Sequence, residues 1–190
     1  MANAAKVTRP AELPRLSEGW ARLREDTSLR GRDWSKAAGD LTDSWLVQVF
    51  DWAVSAGETG AGRGRRTRRP RATGDDPSKG LALLAVGSLG RGDLAPGSDL
   101  DLLLVHDGRP DVVELADRLW YPIWDDPMPL DHSVRTLSQI GQAAESDLRV
   151  AAGLLDARPL AGDAELGTRA VELGRRLWEK RVGKWLPEVI

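Results

Sequence analysis

Apolar residues recur along this chain in two rhythms, and the change from one to the other marks its organisation. From Leu13 to Arg24, and again from Leu41 to Ser55, they fall three or four positions apart; in the second stretch Leu41, Trp45, Val49 and Trp52 would line one face of a helix. Asp40 stands where an N-cap for that helix would stand. The rhythm stops between Gly57 and Lys79, where glycine, proline, aspartate and arginine take over, with six arginines from Arg63 to Arg71. We read this stretch as a solvated loop in preference to a phosphate or RNA contact. Leu81 to Val86 is then wholly apolar and short enough for a buried strand, and Gly87-Ser88 stops it. A second strand is predicted over Leu100 to His106. From Asp111 the helical spacing returns, with Val112, Leu115, Leu119, Trp120 and Ile123 on one face, until Pro127 and Pro129. Leu130 to Thr136 alternates as a third strand. The remainder, Leu137 to Trp185, reads as helices punctuated by Gly153, Pro159 and Gly162. No internal repeat is visible.

These elements predict an α/β (α+β) unit: a small mixed sheet with helices on one side and more helices at both ends. The expected organisation is a helical segment over 1–60, the Arg/Gly-rich loop over 61–79, a catalytic core over 80–140 and the start of a helical domain over 141–190. With 190 residues, 41% of them apolar, one real core is affordable and a second full-sized domain would be cramped. The 27 basic and 29 acidic residues leave a formal charge of −2, so the overall balance gives no reason to expect nucleic acid or an anionic membrane as partner. Cysteine is absent, which removes disulfides and thiolate metal sites and fits a reducing compartment. Met1 to Pro14 lacks the apolar run of a signal peptide and no later window approaches a membrane span, so a cytoplasmic protein is expected. The eight tryptophans fall at helical spacings and are expected mostly as core anchors.

The chemistry is concentrated in Gly87-Ser88-Leu89-Gly90-Arg91-Gly92 and Ser98-Asp99-Leu100-Asp101, the latter running into Leu102-Leu103-Leu104-Val105. A buried strand ending in Gly-Ser lets backbone N–H groups approach a triphosphate, a helix beginning there would add its positive end, Ser88 can donate a hydroxyl and Arg91 a charge. Asp99 and Asp101, two apart on a strand, would leave the same face with Cα atoms roughly 6.6 Å apart, and so could clamp shared cations. Two aspartates beside so apolar a strand would otherwise place like charges together in a poorly solvated setting. The plainer reading is that Ser98-Asp99 ends a turn after Pro96-Gly97 and that Asp101 faces water; the upstream Gly-Ser and the apolar strand that follows weigh against it.

Those residues are where the chain resembles a known family. The Gly-Ser, Arg-Gly and Ser-Asp-x-Asp-Leu-Leu-Leu pieces are similar to the polymerase-β-type nucleotidyltransferases, and among them to the PII uridylyltransferases of bacterial nitrogen regulation. The narrower likeness rests on Gly90-Arg91-Gly92-Asp93-Leu94 with Pro96 and Ser98, on Leu119-Trp120-Tyr121-Pro122-Ile123-Trp124-Asp125 ahead of Leu130-Asp131-His132-Ser133-Val134-Arg135-Thr136, and on Asp147-Leu148-Arg149-Val150 leading to Leu154-Leu155-Asp156-Ala157-Arg158. The resemblance covers about Leu81 to Gly162. It implies transfer of UMP from UTP to a tyrosine of the trimeric PII protein with release of pyrophosphate. Actinobacterial relatives transfer AMP, and the Arg- and Ala-rich, Lys-poor composition fits a GC-rich genome, so UTP and ATP both stay open. By position, Gly87, Ser88 and Arg91 would hold the nucleotide, and Asp99 and Asp101 would ligate Mg2+ as a two-ion site. Asp131 is the candidate third carboxylate, as base for the tyrosine proton or as a further metal ligand. Its bland alternative is a strand-edge aspartate paired with Arg135 on the same face. His132, of opposite parity, and His106 are read as structural.

The family continues into a His- and Asp-rich hydrolytic domain and paired glutamine-sensing modules. With two histidines and an end at Ile190, neither is expected here, nor is removal of the nucleotide. The helical region looks cut short after Trp185. That leaves two other readings: a catalytically silent module that binds nucleotide or PII, and a small nucleotidyltransferase acting on another acceptor.

Overall fold

The computed structural model describes residues 10–59 and 76–189; the arginine-rich stretch lies outside them. Among the described residues seven helices and four strands follow in the order α1 (Leu16–Glu25), α2 (Gly31–Thr59), β1 (Leu81–Ala85), α3 (Gly87–Arg91), β2 (Leu100–His106), α4 (Val112–Trp124), β3 (Leu130–Arg135), α5 (Leu137–Ser146), α6 (Leu148–Leu155), β4 (Arg158–Gly162) and α7 (Ala164–Val189). The sheet order is β3-β2-β1-β4. β1 pairs antiparallel with β2 and with β4, whereas β2 and β3 run parallel across the α4 crossover. This is the small mixed sheet the sequence predicts.

Every residue of β1 is buried, and its two faces feed different cores. Leu81, Leu83 and Ala85, with Leu100, Leu102 and Leu104 of β2, pack under α1, α2 and α4 against Trp20, Trp45, Leu46, Phe50 and Leu119. Ala82 and Leu84, with Leu103 and Val105, pack under α5, α6 and α7 against Ile140, Leu154 and Ala170. Helices therefore cover both faces, which corrects the one-sided arrangement expected above. The cause is in the strands themselves: Leu-Ala-Leu-Leu-Ala and Leu-Leu-Leu-Val are apolar at both parities and need cover twice.

Two further expectations change. The stretch from Leu137 onward is not all helical: Arg158–Gly162 forms β4, an edge strand that tolerates Pro159, with a shift of register opposite Leu83 and Leu84. Proline and glycine there punctuate a strand, not a helix. Nor does Asp40 cap α2, which begins nine residues earlier at Gly31; Asp40 lies on the exposed face and pairs with Lys36 at 2.5 Å. Trp34 and Ala38 extend the apolar stripe backwards, so the helix runs through.

The tryptophans mostly anchor the first core while their ring N–H groups find acceptors: Trp20 donates to Thr42 Oγ1 at 3.0 Å, Trp34 to the Leu23 carbonyl at 3.0 Å and Trp45 to the Pro14 carbonyl at 2.8 Å. Among the described residues Trp178 packs against the second core instead, and Trp124 is 53% exposed. Asp126, 2% exposed, accepts the Leu16 and Ser17 N–H groups at 2.6 and 3.1 Å and so caps α1 from beyond the end of α4.

Asp163 performs the same service for α7, accepting the Glu165 and Leu166 N–H groups, and it also takes the Gly80 N–H at 3.0 Å and pairs with Lys79 at 3.0 Å. The Gly80 bond foremost, then Lys79 and Leu166, hold its carboxyl at about 2 against the upward push of burial. A depressed folded pKa contributes stability that is present above the ordinary carboxylate range and lost as pH falls through about 2. Asp163→Asn is therefore expected to cost on the order of 1–2 kcal/mol at neutral pH and progressively less in strong acid. Urea unfolding of parent and variant at both conditions measures it; an unchanged difference would assign the effect to the cap's shape, not its charge.

Candidate active site

The site is assembled where β1 stops and β2 starts. The Val86 N–H donates to the Asp101 carbonyl at 3.0 Å, the last rung between the two strands. Gly87 then takes φ +56°, a left-handed conformation that admits glycine readily, and turns the chain into α3. Leu89, fully buried, pins α3 to the core, and the Asp93 N–H closes back on the Ser88 carbonyl at 2.9 Å. The Pro96-Gly97 turn follows, held by Ser98 N–H to the Ala95 carbonyl and Ala95 N–H to Ser98 Oγ, both at 2.9 Å. Ser98-Asp99 thus does end a turn, as the plain reading has it, and Asp99 sits one residue ahead of β2, exposed.

Asp101 does not simply face water. A Cβ built on Gly87 would lie 2.5 Å from Asp101 Oδ2, so the glycine turn and this carboxylate face each other with no room between them for a side chain. Parallel pairing of β2 with β3 sets Asp131 directly beside Asp101. Burial raises the Asp101 pKa, and the like charges of Asp131 and then Asp99 raise it further, with Arg91 offsetting part. Gly87, Asp99, Asp101, Asp131 and Arg91 are therefore neighbours in one electrostatic environment.

Among the described residues, Asp101's carboxylate receives no hydrogen bond, and no three Asp, Glu or His side chains converge tightly enough to enclose a cation. What is present is a set of hard oxygen donors with excess negative charge, Asp101 partly buried and Asp99 and Asp131 exposed, which would suit a divalent ion such as Mg2+ completed by water and phosphate oxygens. Arg91 is already engaged, at 2.5 Å from Asp156 and 3.4 Å from Asp93, so it stands at the rim of the site and would exchange partners to meet a phosphate. Asp131 is exposed, and no ion pair joins it to Arg135 among the described residues. His132, on the opposite face, packs its ring against Trp120 and Trp124 at 4.8 and 5.4 Å. His106, at the other end of β2, accepts the Gly108 N–H on Nδ1, and burial lowers its pKa.

Sequence reasoning assigned no role to Asp43, Asp156 or Arg158. Gly90 packs against the Asp156 carbonyl so closely that any Cβ would collide with it. Arg158 reaches Asp43 of α2 and the carbonyls of Leu89 and Gly90 together. The only sequence signal was the run Leu154 to Arg158, which carries no periodicity of its own.

Residues 75–151 match the nucleotidyltransferase domain family. Over 170 residues the chain is 44% identical to a bifunctional uridylyltransferase/uridylyl-removing enzyme of Streptomyces coelicolor, covering 88% of this chain and 18% of that protein. The protein of the same description from Mycobacterium tuberculosis is 40% identical over 153 residues, 80% of this chain and 16% of its own. For that of Azotobacter vinelandii the figures are 37% over 105 residues, 53% and 12%. The chain spans less than a fifth of the length of these curated relatives.

Proposed function

We propose that this chain, whose residues 75–151 match the nucleotidyltransferase domain family, is an enzyme of that type and transfers UMP or AMP from the triphosphate to a tyrosine of the PII regulatory protein. The uridylyltransferase descriptions of its relatives support the uridylyl reading, and the observation that carries it is the Asp101 carboxylate set against the Gly87 turn with Asp131 in register beside it. In this reading the backbone of Gly87-Ser88 and the Ser88 hydroxyl receive the triphosphate, and Arg91 adds charge after releasing Asp93. Asp99 and Asp101 are the residues that would hold a two-ion magnesium site, and bound magnesium would supply charge neutralisation to the reacting phosphates. The tyrosine oxygen forms a bond to the α-phosphorus as the bond to the bridging oxygen of the β-phosphate breaks. Asp131 accepts the tyrosine proton, and in the alternative would add a ligand to a bound metal.

In this reading the reaction takes place in the cytoplasm. Among the described residues no helix is long and apolar enough to cross a membrane. A silent nucleotide-binding module is the second reading, favoured by the engagement of Arg91 with Asp156. Incubation with PII, magnesium and labelled UTP or ATP separates the two. Labelled PII with one nucleotide, abolished by chelation, is the expected result. Nucleotide binding with PII unlabelled under both would select the silent module.

A further inference from the structure

Arg158 and Asp43 lie 115 positions apart in sequence and meet behind the glycine turn. Arg158 Nη1 and Nη2 donate to the two carboxylate oxygens of Asp43 at 2.8 and 3.1 Å, while Nη2 also donates to the Leu89 carbonyl at 3.2 Å and Nε to the Gly90 carbonyl at 3.3 Å. These carbonyls belong to the closing turn of α3, where the Leu89 carbonyl also accepts the Gly92 N–H at 3.2 Å. Ser35 of the same α2 adds a second tie, donating its hydroxyl to the Leu94 carbonyl at 2.7 Å just past the turn.

From this geometry we infer that Asp43 and Arg158 form a positioning pair that fixes the Gly87–Arg91 turn for the triphosphate, making α2 a working part of the active site. The inference rests on the nucleotidyltransferase reading of that turn. α3 has only five residues and one buried anchor, Leu89, so on its own it is weakly determined. Gly90 cannot carry a side chain to wedge it in place, because the Asp156 carbonyl occupies that space. Arg158 replaces the missing wedge with hydrogen bonds from a rigid strand. Only a guanidinium can do so, since its planar fork reaches a carboxylate and two carbonyls at once, while a lysine ammonium is a single point on a flexible stem. Asp43 holds the fork in plane. With side chains 39% and 29% exposed, the pair adds little to global stability, so its removal should be felt at the turn. Displacing bound groups by about 1 Å in such a site costs on the order of 10²-fold in rate.

The test compares the full chain with Arg158→Lys and Asp43→Asn by hydrogen exchange and by titration with magnesium UTP and magnesium ATP. Both variants should exchange faster at residues 87–92 and at parent rates in β1, β4 and the rest of α2, with the unfolding temperature held. Nucleotide affinity should fall roughly tenfold, the scale of one lost charge-assisted bond. Parent-like exchange at 87–92, parent-like affinity, or faster exchange spread through α2 and β4 with a lower unfolding temperature would each overturn the inference. Exchange needs no nucleotide, so it decides positioning even where the parent binds neither triphosphate, a result that would instead remove the nucleotidyltransferase reading.

Discussion

Asp101→Asn is expected to lose nucleotidyl transfer by on the order of 10³-fold and yet to unfold at a higher temperature than the parent in metal-free buffer at neutral pH. The two effects have one cause. Burial and the neighbouring charges of Asp131 and Asp99 raise the Asp101 pKa above its unfolded value. A carboxylate with a raised folded pKa destabilises the fold once ionised: its contribution is favourable below the unfolded pKa and is lost as pH rises through the folded one. Asparagine keeps the shape and removes the charge, so the variant should gain at neutral pH and lose that advantage in acid. Magnesium should reverse the ranking by raising the parent's unfolding temperature while leaving the variant's unchanged. Calorimetry with and without magnesium, across pH, is the measurement. A variant less stable than the parent under every condition would mean that Asp101 is held by structural partners.

Gly87→Ala should be nearly as damaging to activity, by on the order of 10²-fold, through geometry and not charge. Its φ of +56° costs an L-residue roughly 1–2 kcal/mol, and the added methyl would sit 2.5 Å from Asp101 Oδ2. The carboxylate must swing away from the turn or the turn must open, and either movement separates the two halves of the site. Gly39→Ala is the matched control: it lies inside α2 with nothing within 4 Å of its Cβ, and should be neutral or stabilising by about 0.5–1 kcal/mol. Steady-state transfer rates beside unfolding curves for both variants would distinguish a damaged site from a damaged fold. A Gly87→Ala enzyme as active as the parent would show that the close approach has no part in catalysis.

Local chemistry explains which parts of this architecture were readable in the sequence. The β1 and β2 runs, the glycine turn between them and the Asp101 position follow from apolar continuity, glycine and strand parity, all of which act within a few residues. That Asp131 stands beside Asp101 depends on a parallel crossover through α4, and the sequence offered only an aspartate at the head of a strand. β4 stayed hidden because Pro159 and Gly162 look like breaks in a helix when the strand they lean on, β1, lies some seventy-five residues earlier. The true start of α2 was obscured because Asp40, a good capping residue by type, happens to fall mid-helix, where it binds Lys36 instead. Asp43 had no signature and Arg158 only its place in the Leu154 to Arg158 run, since an ion pair between a strand and a distant helix leaves no period in either.

The most direct test of the central claim is a crystal grown with manganese and a nonhydrolysable triphosphate, read by anomalous scattering. Manganese is expected between the carboxylates of Asp99 and Asp101, with the phosphates lying over Gly87 and Ser88. Manganese elsewhere, or a triphosphate seated away from that turn, would contradict it.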